Sequence, residues 1–356
     1  MQTLFFELIQ VSIGKRDHLS RIPSEEEWKE MYRLANTQGI PAILFGGVKT
    51  LPKEQLPVSD IIADWMTLCE KIEAVHEKQT RLASFATKTF MSHGFRTIIL
   101  KGISLDRYYP KASLRYGSDI DIWIDGDRNK VIDYISSVKR PRSILYHHCD
   151  FSIIPDMNME VHFTPSFLAN PIHNRRFQRW ARKNEERLLS NHDYTRDGYN
   201  TPDTSFNLPY LMTHLFRHML DEELELKPFL DIYYILTTET LNEKDKHSYM
   251  SELREFGLDR FTAGVMYALG VACGLDTSLM LCEPDKKTGE AILQEIFKEE
   301  SDKGILTKNK SDGNHIRRFL KREYKLMRFF RFYPSEIVWT PYWTIKIFLM
   351  IHWRKQ

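Results

Sequence analysis

The stretch Asp119-Ile120-Asp121-Ile122-Trp123-Ile124 has the pattern of a β-strand, because every second residue is an isoleucine. Successive side chains of a strand point to opposite faces, so Asp119 and Asp121 share one face, with their Cα atoms about 7 Å apart. The isoleucines share the other face and can pack into a core. The strand ends at Asp125-Gly126-Asp127, which is a turn signal.

The two aspartates need a physical reason to stay together, because Asp is disfavoured in strands and like charges repel. Full solvation on an edge strand is one reason, and a cation between the carboxylates is the other. Mg²⁺ prefers carboxylate and water oxygens and often bridges to substrate phosphates. The pattern therefore allows either a solvated face or a site for two-metal phosphoryl transfer.

A second alternating stretch, Asn158-Met159-Glu160-Val161-His162-Phe163, predicts another strand. Its apolar residues share one face, and Glu160 and His162 share the other. If this strand lies beside the acidic strand, Glu160 brings a third carboxylate to the same face. Otherwise Glu160 occupies a solvated strand position.

The segment Lys101-Gly102-Ile103-Ser104 follows a short apolar strand, Thr97 to Leu100. Gly102 permits close backbone approach to a ligand, and backbone N–H groups at a following helix start can hold a phosphate. Lys101 and Ser104 would add a cation and a hydroxyl. The alternative is a turn glycine with surface neighbours.

Arg115 and Ser118 stand just before the acidic strand, with Gly117 between them. Gly117 indicates a close backbone approach. Arg115 can pair with a phosphate or with an aspartate, and it can equally be a plain surface arginine.

The rest of the chain reads as helices on both sides of a small sheet, which predicts an α+β fold. We expect an N-terminal helical region over 1–90, a mixed α/β core over 91–192 and a C-terminal helical domain over 193–356. Further expectations for individual elements are a capping box at Ser24 and Glu27, a long helix over 58–92, a helix over 128–139, strands over 143–154 and 158–163 joined at 155–157, and loops over 191–203 and 301–315.

Composition limits the class of protein. The net charge of +2 is balanced and demands no nucleic acid, and the four cysteines contain no CxxC pair, which suits a reducing cytoplasm. The apolar stretch over 337–353 is interrupted by Pro341, Lys346 and His352, and it falls short of the ~20 residues of a membrane span. We expect a packing helix there, with interfacial membrane contact as the alternative.

Taken together, these motifs resemble the uncharacterised nucleotidyltransferase family of the DNA polymerase beta-like superfamily. The resemblance is carried by Leu100-Lys101-Gly102, Tyr109-Pro110, Arg115, Ser118-Asp119-Ile120-Asp121-Ile122 and Glu160-Val161-His162. It implies a nucleotidyltransferase α/β core in which Asp119, Asp121 and Glu160 hold two Mg²⁺ or Mn²⁺ ions. Gly102 and Ser104 match the family's Gly-Ser element with Ile103 inserted, and the gap to Asp119 is longer than usual.

The resemblance extends into the helical part of the chain. It implies that Lys227 and Asp231, at a helix start, line the nucleotide site together with Lys101, Gly102, Ser104, Arg115 and Ser118. His214 and His218 have helical i, i+4 spacing but lack a His-Glu-x-x-His motif, so we expect a structural or phosphate-facing role. His147-His148-Cys149-Asp150 would alternate between faces of a strand, which disfavours a metal cluster.

The implied function is transfer of a nucleoside monophosphate from an NTP to an acceptor hydroxyl, with release of pyrophosphate. The acceptor stays open among a small molecule, a protein hydroxyl and an RNA end, and the oligomeric state is also open. A catalytically inactive protein that binds a nucleotide or a partner on the same fold is the alternative. The basic run from Arg317 to Arg331 offers either a surface for such a partner or a solvated helix face.

Overall fold

A five-stranded mixed sheet forms around the acidic strand. The computed structural model describes residues 2–115, 117, 119–151, 157–190, 198–221, 224–297 and 315–353. Within these residues the strands are β1 (Thr97–Leu100), β2 (Asp119–Ile124), β3 (Ser143–Ile144), β4 (His148–Asp150) and β5 (Asn158–His162). Their order is β1-β2-β5-β4-β3, with β2 and β5 parallel and the other neighbours antiparallel. The predicted mixed sheet is confirmed.

Helices precede and follow this sheet and make up most of the described chain, so the predicted α+β class is confirmed. Those up to the end of the sheet region are α1 (Gln2–Ser12), α2 (Glu25–Thr37), α3 (Pro41–Val48), α4 (Ser59–Ser92), α5 (Arg128–Val138) and α6 (Pro171–Ser190). Those that follow are α7 (Thr204–Asp221), α8 (Lys227–Thr238), α9 (Glu243–Glu255), α10 (Asp259–Cys273), α11 (Lys286–Ile296), α12 (His315–Leu326), α13 (Pro334–Ile337) and α14 (Thr340–Trp353).

Most of the individual elements agree with the sequence. The capping box of Ser24 and Glu27 begins α2, and α4 and α5 match the predicted helices. The predicted single strand over 143–154 is wrong: it is split into β3 and β4 because Leu145 N–H donates to the His148 carbonyl and reverses the chain. The connections predicted over 155–157, 191–203 and 301–315 lie largely outside the described chain, which does not include residues 152–156, 191–197 and 301–314.

The two faces of the sheet pack against different helices. The isoleucines of β2 join Val161 of β5 and the apolar sides of α4 and α5 in one core, as the alternation predicts. The opposite face carries the carboxylates and Trp123, whose ring stacks on Phe206 of α7 at 5.7 Å. Helix α7 therefore covers the face that holds the acidic groups.

Helices from both ends of the chain share a second core. Helix α1 packs on α3 and α10, and buried residues from Leu4 to Ile337 belong to one apolar cluster. Near the C-terminus, the Trp343 indole N–H of α14 donates to the Ala169 carbonyl at 2.6 Å, so α14 packs against the turn before α6. In the described part of the chain, every helix is too short or too polar to cross a membrane.

Glu252 on α9 supplies a test of this packing. Burial raises the pKa of its carboxyl from the usual value near 4.5 to about 6, and its Oε2 is buried without a partner among the described residues. Because the folded state then favours the protonated form, stability is lost as pH rises from about 4 to above 6. We expect Glu252→Gln to raise the free energy of unfolding by about 1–2 kcal/mol at pH 8, with little effect at pH 4.

Urea unfolding at the two pH values measures this difference. The control is Glu255→Gln, which removes an exposed carboxylate of the same helix. An equal effect of Glu252→Gln at both pH values would contradict the assignment.

Candidate functional site

The register between β2 and β5 brings three carboxylates together. Asp121 lies opposite Glu160 in the parallel pair, and Asp119 is two residues earlier on the same face. One oxygen from each of the three groups lies within 4.8 Å of the others. Asp121 is buried at 2% exposure, whereas Asp119 and Glu160 are half-buried. The predicted convergence of Glu160 with the aspartates is therefore present in the fold.

Lys101 places a cation against this cluster. It follows β1, which pairs with β2, and its Nζ lies 3.1 Å from Asp121 Oδ1. Burial alone would lower the pKa of Lys101, but the carboxylates of Asp121 and Asp119 outweigh it and raise the pKa, so the ammonium stays charged. Its backbone has φ 33°, the left-handed region that residues other than glycine rarely adopt. The fold therefore sustains backbone strain where the ammonium meets the acidic cluster.

Two histidines complete the charged face. His162 Nε2 lies 2.9 Å from Asp121 Oδ1 and 3.5 Å from Glu160 Oε2. Burial alone would lower the pKa of His162, but these contacts raise it to about 9, so the ring is a cation at neutral pH. Burial would also raise the pKa of Glu160, but the hydrogen bond from His162 and the Lys101 ammonium lower it overall. His148 Nδ1 lies 3.8 Å from Glu160 Oε2.

Helix α7 forms the opposite side of the site. The Tyr210 hydroxyl is buried with no hydrogen-bond partner among the described residues, and burial together with the nearby carboxylates raises its pKa. His214 and His218 contact each other through their Nε2 atoms at 2.8 Å. Burial lowers the pKa of His214 well below its usual value, and the charge of Lys101 adds to this effect. Helix α7 thus presents an unsatisfied hydroxyl and a neutral imidazole to the charged groups.

The predicted phosphate segment begins directly after Lys101. Gly102 has φ +56°, a conformation that residues other than glycine adopt only with strain, and a Cβ on it would lie 3.8 Å from Arg115 Nη1 and 3.9 Å from the Asp119 carbonyl oxygen. A 3₁₀ segment, Gly102–Tyr108, follows. The Ser104 hydroxyl is buried and has no partner among the described residues. Such an orphaned hydroxyl beside a left-handed glycine is a chemically suitable place for an anionic ligand.

Two further predicted residues pair with each other. Arg115 Nε and Nη2 donate to the Asp231 carboxylate at 2.7 and 2.9 Å, and the Tyr109 hydroxyl donates to the same group at 2.7 Å. Arg115 and Asp231 are 7% and 2% exposed. Of the pairings that the sequence allowed for Arg115, an aspartate is the one present. The pair joins the segment before β2 to helix α8.

Lys227 and Ser118 complete the predicted set. Lys227 begins α8, where its Nζ lies 3.7 Å from Glu225 Oε2. Its role at a nucleotide stays a prediction. Ser118 lies outside the described residues. Its neighbour Gly117 leaves room for Gln79 of α4, since a Cβ on residue 117 would lie only 2.9 Å from Gln79 Oε1. Gln79 Nε2 in turn donates to the Asp119 carbonyl at 3.3 Å.

Sequence reasoning left His148 and Tyr210 out of the site. His148 lies opposite His162 in the β4–β5 pair, and the two imidazoles and Glu160 have ligand atoms within 4.8 Å of one another. The disfavoured His147-His148-Cys149-Asp150 segment thus contributes two residues to this face, because Asp150 also lies opposite Glu160. The one sequence signal that a histidine belongs to this face was the alternation of residues 158–163, which places His162 on the same side of the strand as Glu160. No local pattern marks Tyr210, which reaches the site through the packing of α7.

The donor atoms fit divalent cations. Carboxylate oxygens suit Mg²⁺ and Mn²⁺, and three converging carboxylates form a favourable oxygen ligand set. The overlapping set with His148 and His162 adds imidazole nitrogens, which suit Zn²⁺ and other transition metals once His162 has lost its proton. Buried hydroxyls at Ser104 and Tyr210 leave hydrogen-bonding capacity beside these ligands.

The fold and the site define the class: an α+β protein whose small mixed sheet carries a carboxylate cluster that faces helix α7. A sequence profile of the family described as "Uncharacterised nucleotidyltransferase" matches residues 24–271, more than half of the chain. The chain belongs to this family, and the family's description supports a general function in nucleotidyl transfer. No curated protein and no solved structure matches the chain.

The Arg115–Asp231 pair predicts a specific stability effect. Arg115→Met leaves a buried carboxylate without its cation, so we expect the free energy of unfolding to fall by about 3–5 kcal/mol. Arg115→Met/Asp231→Asn removes the stranded charge and keeps an acceptor for Tyr109, so it should recover most of that loss. Urea unfolding of both variants measures the effect, and a double variant no more stable than the single one would contradict this role.

Lys101 predicts a link between stability and divalent cations. Lys101→Met removes the ammonium from the carboxylates, so we expect the protein in EDTA to lose about 2 kcal/mol or more. Added Mg²⁺ or Mn²⁺ should then raise the melting temperature of the variant more than that of the wild type, because the cation relieves the same repulsion. Thermal unfolding measures this, with the exposed Lys130→Met as control. An equal response in all three proteins would exclude a cation site at the carboxylates.

Proposed function

We propose that the chain transfers a nucleoside monophosphate from an NTP to an acceptor hydroxyl and releases pyrophosphate. The observation that carries the proposal is the convergence of Asp119, Asp121 and Glu160 within 4.8 Å on two adjacent strands. In the reaction, the acceptor oxygen forms a bond to the α-phosphorus, and the bond from that phosphorus to the β-phosphate oxygen breaks. Two divalent ions, when bound, would supply electrophilic stabilisation of the phosphates and of the acceptor oxygen.

The residues of the chain take distinct parts in this scheme. Asp119 and Asp121 would hold the ions, and Glu160 would complete the ligand set or receive the acceptor's proton. The Lys101 ammonium and the Ser104 hydroxyl would bind the triphosphate, with backbone N–H groups after Gly102 close to it. Lys101 already lies 3.1 Å from Asp121, so a small movement of its side chain exchanges the carboxylate for a phosphate.

Arg115 and Asp231 enter the scheme as positioning residues. Asp231 accepts hydrogen bonds from two nitrogens of the Arg115 guanidinium. The third nitrogen, Nη1, lies 3.8 Å from the point that a Cβ on Gly102 would occupy. Arg115 thus supports the backbone around Gly102 and leaves one nitrogen directed toward the phosphate segment. We propose that the pair orients the loop on which the triphosphate would lie, and that Lys227 and Ser118 also bind the nucleotide.

A nucleotide-binding protein without turnover is the second candidate, and one observation favours it. Asp121 already contacts the Lys101 ammonium at 3.1 Å and His162 Nε2 at 2.9 Å, so its charge is compensated by the protein itself. A protein that binds an NTP without transferring it would retain metal-dependent binding and release no pyrophosphate.

Calorimetric titration with Mg²⁺ and a non-hydrolysable NTP tests the site. We expect wild type to bind, and Asp119→Asn/Asp121→Asn to lose at least about 100-fold in affinity, because the oxygen ligands of the cation are removed. The matched control, Asp64→Asn/Asp133→Asn, removes two exposed aspartates from α4 and α5 and should bind normally. Pyrophosphate release from NTP in the presence of candidate acceptors then separates transfer from binding alone. Folded wild-type protein that binds no NTP with either Mg²⁺ or Mn²⁺ would overturn the proposal.

A further inference from the structure

A basic, aromatic-lined groove lies between helices α6 and α14. It encloses about 550 Å³, a volume in the range of sites for small ligands. Four cationic side chains line it, and none of the lining residues that the structure describes is acidic. In a chain whose net charge is only +2, this is a local concentration of positive charge.

Helix α6 supplies three of these cations in one row. Arg175, Arg179 and Arg182 have i, i+4 and i+7 spacing, which places them on one side of the helix over about 10 Å. All three side chains are exposed. A row of guanidinium groups at this spacing suits a ligand with more than one anionic group, since each can bind a phosphate in a bidentate manner.

Helix α14 supplies rings and the fourth cation. Lys346 Nζ lies 4.5 Å from the Trp343 ring centre and 5.3 Å from that of Tyr146, which approaches from the β3–β4 connection. Tyr342 is 52% exposed, so its ring surface is accessible. Exposed aromatic rings beside cations form stacking surfaces for planar ligands, and nucleobases in particular stack on them.

The groove is connected to the carboxylate site by a series of ring contacts. The Tyr146 ring centre lies 5.5 Å from that of Phe167, and Phe167 lies 5.0 Å from His147. His147 in turn lies 5.7 Å from His162, which contacts Asp121. A ligand in the groove would therefore lie on the side of the acidic face that β4 and β5 border.

We propose that this groove binds a phosphorylated nucleotide unit of the acceptor, with the phosphates on the arginine row and the planar ring against the aromatic side chains. The inference rests on the proposed transferase function and assigns the chemical class of the acceptor. The unit belongs either to a free nucleotide or to the end of a single strand. Both have the same phosphate and ring chemistry, and the experiment separates them.

The test measures binding in EDTA, so that the metal-dependent NTP site does not contribute. The probes are AMP, followed by calorimetry, and fluorescein-labelled oligoadenylate, followed by anisotropy. The variant Arg175→Gln/Arg179→Gln/Arg182→Gln should bind about tenfold more weakly or worse, and Tyr342→Ala should also weaken binding. For the oligonucleotide, the slope of log K against log salt should fall by about 2, because three phosphate contacts are lost.

The matched control, Lys244→Gln/Arg254→Gln/Lys287→Gln, removes three exposed cations from outside the groove and should leave binding unchanged. Binding of AMP assigns a small nucleotide acceptor, and binding of oligoadenylate alone assigns a strand end. The assignment is overturned if neither probe binds folded wild type, or if the groove and control variants lose affinity equally. Either result leaves metal-dependent NTP binding intact and thereby differs from failure of the proposed function.

Discussion

Repulsion between carboxylates on adjacent parallel strands is the constraint on which the rest of the site depends. The β2–β5 pairing sets Asp121 directly beside Glu160, and the buried surroundings of Asp121 strengthen the interaction between their charges. The protein offsets this repulsion with the Lys101 ammonium and the His162 imidazolium. Both compensating cations contact Asp121 Oδ1, and His162 also lies 3.5 Å from Glu160 Oε2, so the same two cations offset the charge of more than one carboxylate.

This arrangement requires the surrounding structure to be rigid. Lys101 is held in a left-handed backbone conformation, and such a conformation persists only where neighbouring contacts enforce it. The β1–β2 pairing on one side and the 3₁₀ segment on the other supply those contacts. The buried Arg115–Asp231 pair joins the segment before β2 to helix α8, so α8 also helps to fix the chain beside the carboxylates.

The local pattern of the sequence was sufficient to predict the strands that carry the carboxylates. Period-two alternation identified β2 and β5 and the side on which Asp119, Asp121 and Glu160 lie, because that alternation is a property of the strand itself. The split of residues 143–154 into β3 and β4 depends on one backbone hydrogen bond at a turn, from Leu145 to His148, that leaves little trace in composition.

Partners distant in sequence were harder to predict. Arg115 and Asp231 are 116 positions apart, and the sequence left a phosphate, an aspartate and solvent open as partners for the arginine. His148 joins the acidic face through the register of β4 on β5, and Tyr210 joins it through the packing of α7. Neither position can be predicted from the residues next to it in the sequence. For His148, a shift of one residue in the β4–β5 register would turn its side chain to the opposite face.

The nearly neutral net charge conceals a separation of charge that bears on the chemistry. The carboxylate face concentrates negative groups, whereas the described lining of the groove between α6 and α14 contains cations and no acidic residue. A nucleoside triphosphate is strongly anionic and would be repelled by the carboxylates unless cations accompany it. An anionic acceptor faces the same repulsion, and it can be held near the site only if its charge is bound elsewhere. The basic groove would meet that requirement, because it would bind the acceptor's phosphates outside the acidic face, with the rings of Phe167 and His147 between the groove and His162.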